Sequence, residues 1–134
     1  MNQSNSIWIA VKSESDLTRS IVEAKRVASA LGFDHNACQM IATAVSELAR
    51  NILKYAGKGE VIIAPTQNSY RVGIEITVQD RGPGIANVEQ AMADHFSSSG
   101  TLGLGLPGVK RMMDEFEINS VLEKGTRVTI KKWR

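Results

Sequence analysis

The chain has 134 residues, of which 43% are hydrophobic and 22% charged, the size and composition of one ordinary globular domain. A formal net charge of +2 excludes the strong basic field typical of proteins that bind nucleic acid or anionic membranes. The single cysteine, Cys38, excludes an internal disulfide, and a polar N-terminus without any apolar run of about 20 residues predicts neither a signal peptide nor a membrane helix. We therefore expect one domain in the reducing cytoplasm.

The N-terminal part is predicted to form a strand and an amphipathic helix. Ile7–Val11 is an apolar run that predicts the strand. From about Asp16 to Leu31 the apolar residues follow helical spacing, with Ser13 or Ser15 available as N-cap and Gly32 as the stop.

A second helix is predicted from an N-cap at Asp34 to about Tyr55, before the glycines at 57 and 59 end it. Cys38 falls on its buried side by periodicity. Its apolar stripe consists of Ile41, Val45, Leu48 and Ile52.

Two strands follow, near Glu60–Ala64 and Tyr70–Gln79, joined by a loop at residues 66–69. The second strand alternates apolar and polar residues between Val72 and Gln79, so one of its faces is predicted to belong to the core.

The next segment, residues 81–102, is rich in glycine and serine and predicts a long functional flap with only a short helix near Asn87–Ala93. We expect a flexible lid at about residues 82–103. A further helix is predicted from about Leu104 or Pro107 to Glu115.

A terminal hairpin of Phe116–Leu122 and Thr126–Trp133 is predicted, turning at residues 123–125. This order of elements predicts an α+β two-layer sandwich, with helices on one face of a mixed sheet.

The first candidate functional cluster lies along one edge of the second helix. Glu47 and Asn51, four residues apart, are about 40° apart around the axis, and Arg50, Lys54 and Tyr55 extend the same edge. A solvated helix face with i,i+3 pairs explains the same residues, so the helix alone leaves both interpretations open.

The second cluster, Asp80, Gly82 and Gly84, follows the alternating strand. The carboxylate can accept hydrogen bonds from a ligand amino group, and the glycines permit close backbone approach. An ordinary strand-ending turn uses the same residue types.

The third cluster places Gly103, Gly105 and Gly108 at the start of the last helix, where backbone N–H groups and the helix dipole favour a phosphate. The spacing formally matches a dinucleotide fingerprint, but no strand precedes it and the order of elements is not βαβ.

Four segments of the chain resemble, in order, the sequence boxes of the GHKL ATPase and kinase superfamily. They are SELARNILKYAGKG, DRGPGI, SSSGTLGLGLPGVKRMMDEF and Gly125-Thr126. Residue by residue, the first three of these segments are similar to those of the small switch-protein serine/threonine kinases of bacterial stress signalling, of the RsbT type. The resemblance implies the Bergerat nucleotide-binding fold over roughly Val11 to the C-terminus.

For the helix residues, the resemblance implies roles in phosphoryl transfer. Asn51 would hold Mg²⁺, and Glu47 would be the catalytic base. Lys54 and Arg50 would contact phosphate, and Tyr55 would lie beside adenine.

For the loops, the resemblance implies that Asp80 accepts from the adenine amino group and that Thr126 contacts the base or a bridging water. Gly82 and Gly84 would let the chain pass close to the nucleotide, and the glycines at 103 and 105 would reach the phosphates. The predicted nucleotide-binding set is completed by Ile85, Leu104 and Leu106.

The implied function is an ATP- and Mg²⁺-dependent protein-serine/threonine kinase. Its implied partners are STAS-domain antagonist and scaffold proteins of a stressosome and a downstream effector such as a PP2C-type phosphatase, with no nucleic acid and no membrane. Two alternatives remain open: an anti-sigma factor kinase of the same superfamily, and a nucleotide-binding adaptor without transfer activity.

Overall fold

The computed structural model describes residues 5–92 and 105–134. Its strands are β1 (Ile7–Val11), β2 (Gly59–Gln67), β3 (Val72–Asp80), β4 (Glu115–Val121) and β5 (Gly125–Trp133). Its helices are α1 (Glu14–Ala30), α2 (His35–Asn51), which continues into a π-helical turn (Ile52–Ala56), α3 (Val88–Ala91) and α4 (Gly105–Met112).

The predicted caps of the two long helices are confirmed. Ser13 Oγ accepts a hydrogen bond from the Asp16 amide at 3.2 Å, and Asp34 Oδ1 accepts one from the Ala37 amide at 2.8 Å. Each side chain satisfies an amide that the first helical turn leaves without a partner. Gly32, with φ of 92°, follows the C-cap of α1 in the left-handed conformation that glycine adopts without strain.

The five strands form one sheet in the order β1-β2-β3-β5-β4, and every described pairing is antiparallel. The predicted mixed sheet is therefore wrong. After β3 the chain passes through α3 and α4 and returns in β4 parallel to β3. The last strand, β5, then lies between them, so the two parallel strands never pair.

The predicted two-layer sandwich with helices on one face is confirmed. Two adjacent cross-strand rows face the helices and are largely buried: Ile9–Val61–Val78–Val128 and Ile63–Ile76–Ile130. From above, α2 buries Ile41, Val45 and Leu48, and it packs against both α1 and α4. Cys38 is buried in this layer, as its periodicity predicted.

The second strand, β2, extends through residues 65–67, part of which the sequence assigned to a loop. Proline is normally excluded from a central strand because it has no amide hydrogen. Here β1 pairs with β2 only as far as Ile63, so Pro65 is paired on one side alone, with Ile74 of β3. The loop that remains is held by Asn68 Oδ1, which accepts from the amides of Tyr70 and Arg71 at 2.8 Å.

The last helix ends earlier than predicted. It stops at Met112, and Glu115 is the first residue of β4 instead of the last residue of a helix. Contacts with β5 explain the difference: the Asp114 amide donates to the Lys131 carbonyl at 2.9 Å, and Trp133 Nε1 donates to Glu115 Oε2 at 2.8 Å.

Within the predicted flap, α3 forms with Asn87 as its N-cap, which confirms a short helix there. Residues 93–104, which include half of the predicted lid, lie outside the described residues, so the lid stays a prediction. Across residues 5–92 and 105–134, none of the helices has the length and apolar character needed to span a bilayer.

Two glycines with positive φ provide a test of how tightly the hairpin abuts β3. A Cβ at Gly125 would collide with the Asp80 carbonyl, whereas one at Gly57 would have no atom within 4 Å. We expect Gly57→Ala to lower the free energy of unfolding by about 1 kcal/mol, from left-handed strain alone. Gly125→Ala should cost more than about 3 kcal/mol, because backbone must move. Urea denaturation of both variants checks this, and equal losses would contradict the packing.

Candidate functional site

The candidate site begins at one end of the sheet, where a cross-strand row changes from apolar to polar. In register across the sheet, this row contains Val11, Gly59, Asp80, Thr126 and Ser120. It lies on the helix-covered face, two positions beyond the buried row of Ile9. The three polar side chains are therefore neighbours on adjacent strands.

Asp80 is oriented by its own turn. Its Oδ1 accepts a hydrogen bond from the Gly82 amide at 2.8 Å, which fixes the carboxylate at the end of β3. Its second oxygen has no partner among the described residues, and no fully buried polar side-chain atom there lacks one. The second oxygen is therefore reachable from outside and offers an acceptor to a ligand.

Above Asp80 and Thr126 lies a cleft of about 380 Å³. Its floor and wall are apolar, formed by Leu48, Val78, Ile118 and Val128. A cavity of this size, with an apolar lining and a few convergent polar groups, is typical of small-molecule sites.

The edge of α2 supplies the opposite wall through Asn51 and Tyr55. Asn51 is half-buried, and its carboxamide makes no hydrogen bond to the described residues. Tyr55 belongs to the π-helical turn, which closes when the Gly57 amide donates to the Ile52 carbonyl at 2.8 Å. Such π-helical turns in α-helices frequently mark functional sites.

Other predicted residues of this edge do not line the cleft. Glu47 is half-buried one turn before Asn51. Arg50 is exposed and donates from Nη2 to Ser46 Oγ at 3.3 Å, and the Lys54 ammonium lies 5.2 Å from the centroid of the Tyr55 ring. The contacts of these two cations therefore lie within the helix and its π-helical turn, and the predicted roles of all three residues stay predictions.

The glycines after Asp80 have a structural reason that the sequence did not suggest. A Cβ at Gly82 would lie 2.6 Å from Ala56 Cβ, and one at Gly84, where φ is 79°, would lie 2.5 Å from the Val121 carbonyl. At these two glycines the backbone approaches other parts of the protein closely, whereas the sequence analysis expected it to approach a nucleotide. Gly84 and Ile85 line the cleft, whereas Gly82 does not.

At the far end, the first residues of α4 reach the cleft through Gly105 and Leu106. Gly105 has φ of 56°, and among the described residues a Cβ there would meet only Pro107 Cδ, at 3.7 Å. The amides of a first helical turn have no partners within the helix, and they favour an anion. The predicted Gly103 and Leu104 lie outside the described residues.

Ser120 is a polar residue of the site that the sequence analysis missed. Its hydroxyl accepts from the Ile85 amide at 2.7 Å and lies 2.8 Å from Thr126 Oγ1. A signal for it existed: a hairpin turning at residues 123–125 places position 120 opposite Thr126. Asn87, Gln90 and Ala91 also line the cleft and were missed.

Comparison with known proteins identifies this arrangement. Residues 11–132 match the model of the family described as histidine kinase-like ATPase domain. The chain is 45% identical over 125 residues to the serine/threonine-protein kinase RsbT of Bacillus subtilis (strain 168), covering 93% of this chain and 94% of that protein. It is 34% identical over 97 residues to an anti-sigma F factor of Clostridium novyi (strain NT), covering 69% and 68%.

Solved structures agree on the fold. The RsbU and RsbW domains of Rv1364c from Mycobacterium tuberculosis superpose with a TM-score of 0.68 at 17% identity, over 96% of this chain and 33% of that one. The chain thus spans about a third of that longer protein. The mycobacterial sensor histidine kinase MprB superposes with a TM-score of 0.56 at 22% identity, over 95% and 97%.

These matches confirm the predicted superfamily and the predicted similarity to RsbT-type kinases, because the chain is a homologue of a serine/threonine-protein kinase over nearly its whole length. ATP is the nucleotide that the family description names. The protein belongs to the histidine kinase-like ATPase domain family.

Proposed function

We propose that the protein is an ATP- and Mg²⁺-dependent serine/threonine kinase that transfers the γ-phosphoryl group of ATP to a hydroxyl of a partner protein. The observation that carries the proposal is convergence. Asn51, Asp80, Thr126 and Gly105 come from four separate segments and line one cleft. A homologous protein kinase covering 93% of the chain supports the same activity.

The adenine would bind at the sheet end of the cleft. Asp80 presents there a carboxylate oxygen that has no partner among the described residues, and this oxygen suits the donor amino group of adenine. The apolar side chains of Val78, Ile118 and Val128 suit the faces of the base. Tyr55, on the opposite wall, supplies a ring beside it.

The triphosphate would extend toward Asn51 and the start of α4. Mg²⁺ in nucleotide sites takes one or two protein oxygens and completes its shell with phosphates and water. The half-buried Asn51 carboxamide, without a partner among the described residues, fits such a single ligand. When bound, Mg²⁺ neutralises phosphate charge. The Gly105 amide region would hold phosphate oxygens, joined by Gly103, Leu104, Arg50 and Lys54 as further members of the proposed set.

Glu47 would be the catalytic base. It lies one helical turn before Asn51 on α2, so a hydroxyl directed at the γ-phosphate passes the same helix edge. Its carboxylate would orient the attacking hydroxyl and accept its proton.

We infer that the kinase works by partner switching. RsbT is a kinase of this size, and the anti-sigma F factor of Clostridium novyi matches over 69% of the chain. The proposed substrates are STAS-domain antagonist and scaffold proteins, and the released kinase would bind an effector such as a PP2C-type phosphatase. The match to anti-sigma F factors favours, as second candidate, a kinase that binds a sigma factor; co-purified partners distinguish the two.

The kinase activity is tested with labelled ATP, Mg²⁺ and the STAS-domain protein that the chain binds. We expect phosphoserine or phosphothreonine on that protein, and Asn51→Ala should abolish Mg²⁺-dependent transfer. The Asn51 carboxamide makes no hydrogen bond to the described residues. The free energy of unfolding of the Asn51→Ala variant should therefore differ from that of the unaltered chain by less than about 0.5 kcal/mol. Binding of ATP without any transfer by the unaltered chain would instead support an adaptor.

Asp80→Asn tests the adenine end. An asparagine keeps an oxygen for the Gly82 amide but replaces the charged acceptor with an amide, so ATP affinity should fall roughly tenfold to a hundredfold. Isothermal titration calorimetry measures this, with Glu75→Gln on the far face of the same strand as control. Unchanged affinity in Asp80→Asn would contradict the assignment.

Glu47→Gln tests the base. Loss of the proton acceptor should lower kcat by about 10²-fold or more, while the Kd for ATP stays within about twofold. Single-turnover phosphorylation and calorimetry give the two quantities. Equal losses in both would indicate a binding role.

A further inference from the structure

A pair of hydroxyl groups lies beneath the adenine end of the cleft. Ser120 and Thr126 are opposite each other in the β4–β5 pairing, with their oxygens 2.8 Å apart. Ser120 Oγ also accepts from the Ile85 amide at 2.7 Å and lies 3.3 Å from the Gly125 carbonyl. Both residues are half-buried, and Asp80 is the cross-strand neighbour of Thr126.

Counting protons assigns the directions of these bonds. A serine hydroxyl has one proton to donate and two lone pairs to accept with. The Ile85 amide is a donor, and the Gly125 carbonyl is an acceptor. All three contacts are satisfied together only when Ser120 donates to Gly125 and accepts from both Ile85 and Thr126.

In that arrangement the proton of Thr126 points at Ser120, away from the cleft. Thr126 then presents only lone pairs to a ligand, beside the Asp80 carboxylate oxygen that has no partner in residues 5–92 and 105–134. Two acceptors at one place favour a purine with an amino group at position 6. A purine with a carbonyl there would direct an acceptor at these two acceptors, and its one donor on this edge, the N1–H, lies beside the carbonyl and cannot replace both protons of the amino group.

We propose that Ser120 is a positioning residue that holds the Thr126 hydroxyl as an acceptor and so contributes to selection of 6-amino over 6-oxo purines. This inference rests on the proposed function, because it concerns the same adenine site. Ser120 acts through Thr126 and does not itself line the cleft.

The test compares Kd values for ATP and inosine triphosphate, which carries a 6-oxo group, by calorimetry. In Ser120→Ala the Thr126 hydroxyl is free to turn and donate, so the preference for ATP should fall about tenfold. Ser120→Thr keeps the hydroxyl and should keep the preference within about twofold. Ser120→Cys, nearly isosteric and only weakly hydrogen bonding, carries the same test if the alanine variant does not fold.

A double-mutant cycle separates positioning from general loosening of the hairpin. With Thr126→Val present, Ser120→Ala should cause no further loss of preference, because the residue through which it acts is gone. Thr129→Val removes a β5 hydroxyl from the opposite face of the sheet and should leave the preference unchanged.

Three results would overturn the inference, and the first two are distinguishable from the third. Full ATP preference in Ser120→Ala, or additive losses in the double variant, would refute the role of Ser120 while leaving the kinase proposal intact. Failure of the unaltered chain to bind ATP at all would refute the proposed function and the inference together.

Discussion

The antiparallel register between β3 and β5 is the constraint on which the site depends. It places Asp80 directly opposite Thr126, and both on the helix-covered face. Side chains alternate between the two faces along a strand. A shift of the register by one residue would therefore place either Asp80 or Thr126 on the open face, and the two would no longer share a site. Gly125 permits this register, since a Cβ at its position would collide with the Asp80 carbonyl.

The core and the cleft are continuous parts of the same layer. The buried cross-strand row nearest the cleft includes Val78 and Val128, and these two side chains also form the floor of the cleft. Asp80 and Thr126 therefore rest on close-packed side chains, and their positions are set by the core. Precise polar groups on a rigid base suit phosphoryl transfer, which depends mainly on positioning and charge neutralisation.

The glycines of the DRGPGI segment are explained by packing of this loop against other parts of the protein. Gly82 and Gly84 are required where the loop packs against Ala56 and the Val121 carbonyl. These contacts connect the π-helical turn, the loop and the hairpin tip. The Glu123 amide donates to the Pro83 carbonyl at 2.7 Å and strengthens the second connection. The loop that borders the cleft is thus held in place from both sides by protein.

Much of this protein was determined by the sequence alone. The two long helices, their caps at Ser13 and Asp34, the alternating strand before Asp80 and the hairpin turn all follow from interactions within a few residues, which periodicity and capping chemistry report directly. The resemblance of the motifs to a nucleotide-binding family added further residues that line the cleft, namely Ile85, Leu106 and Thr126. Only the tertiary structure decided that the sheet is antiparallel, that Glu115 begins a strand and that Ser120 supports Thr126. These features depend on which strand lies beside which, and partners such as Ile85 and Ser120, 35 residues apart, leave no local pattern in the chain.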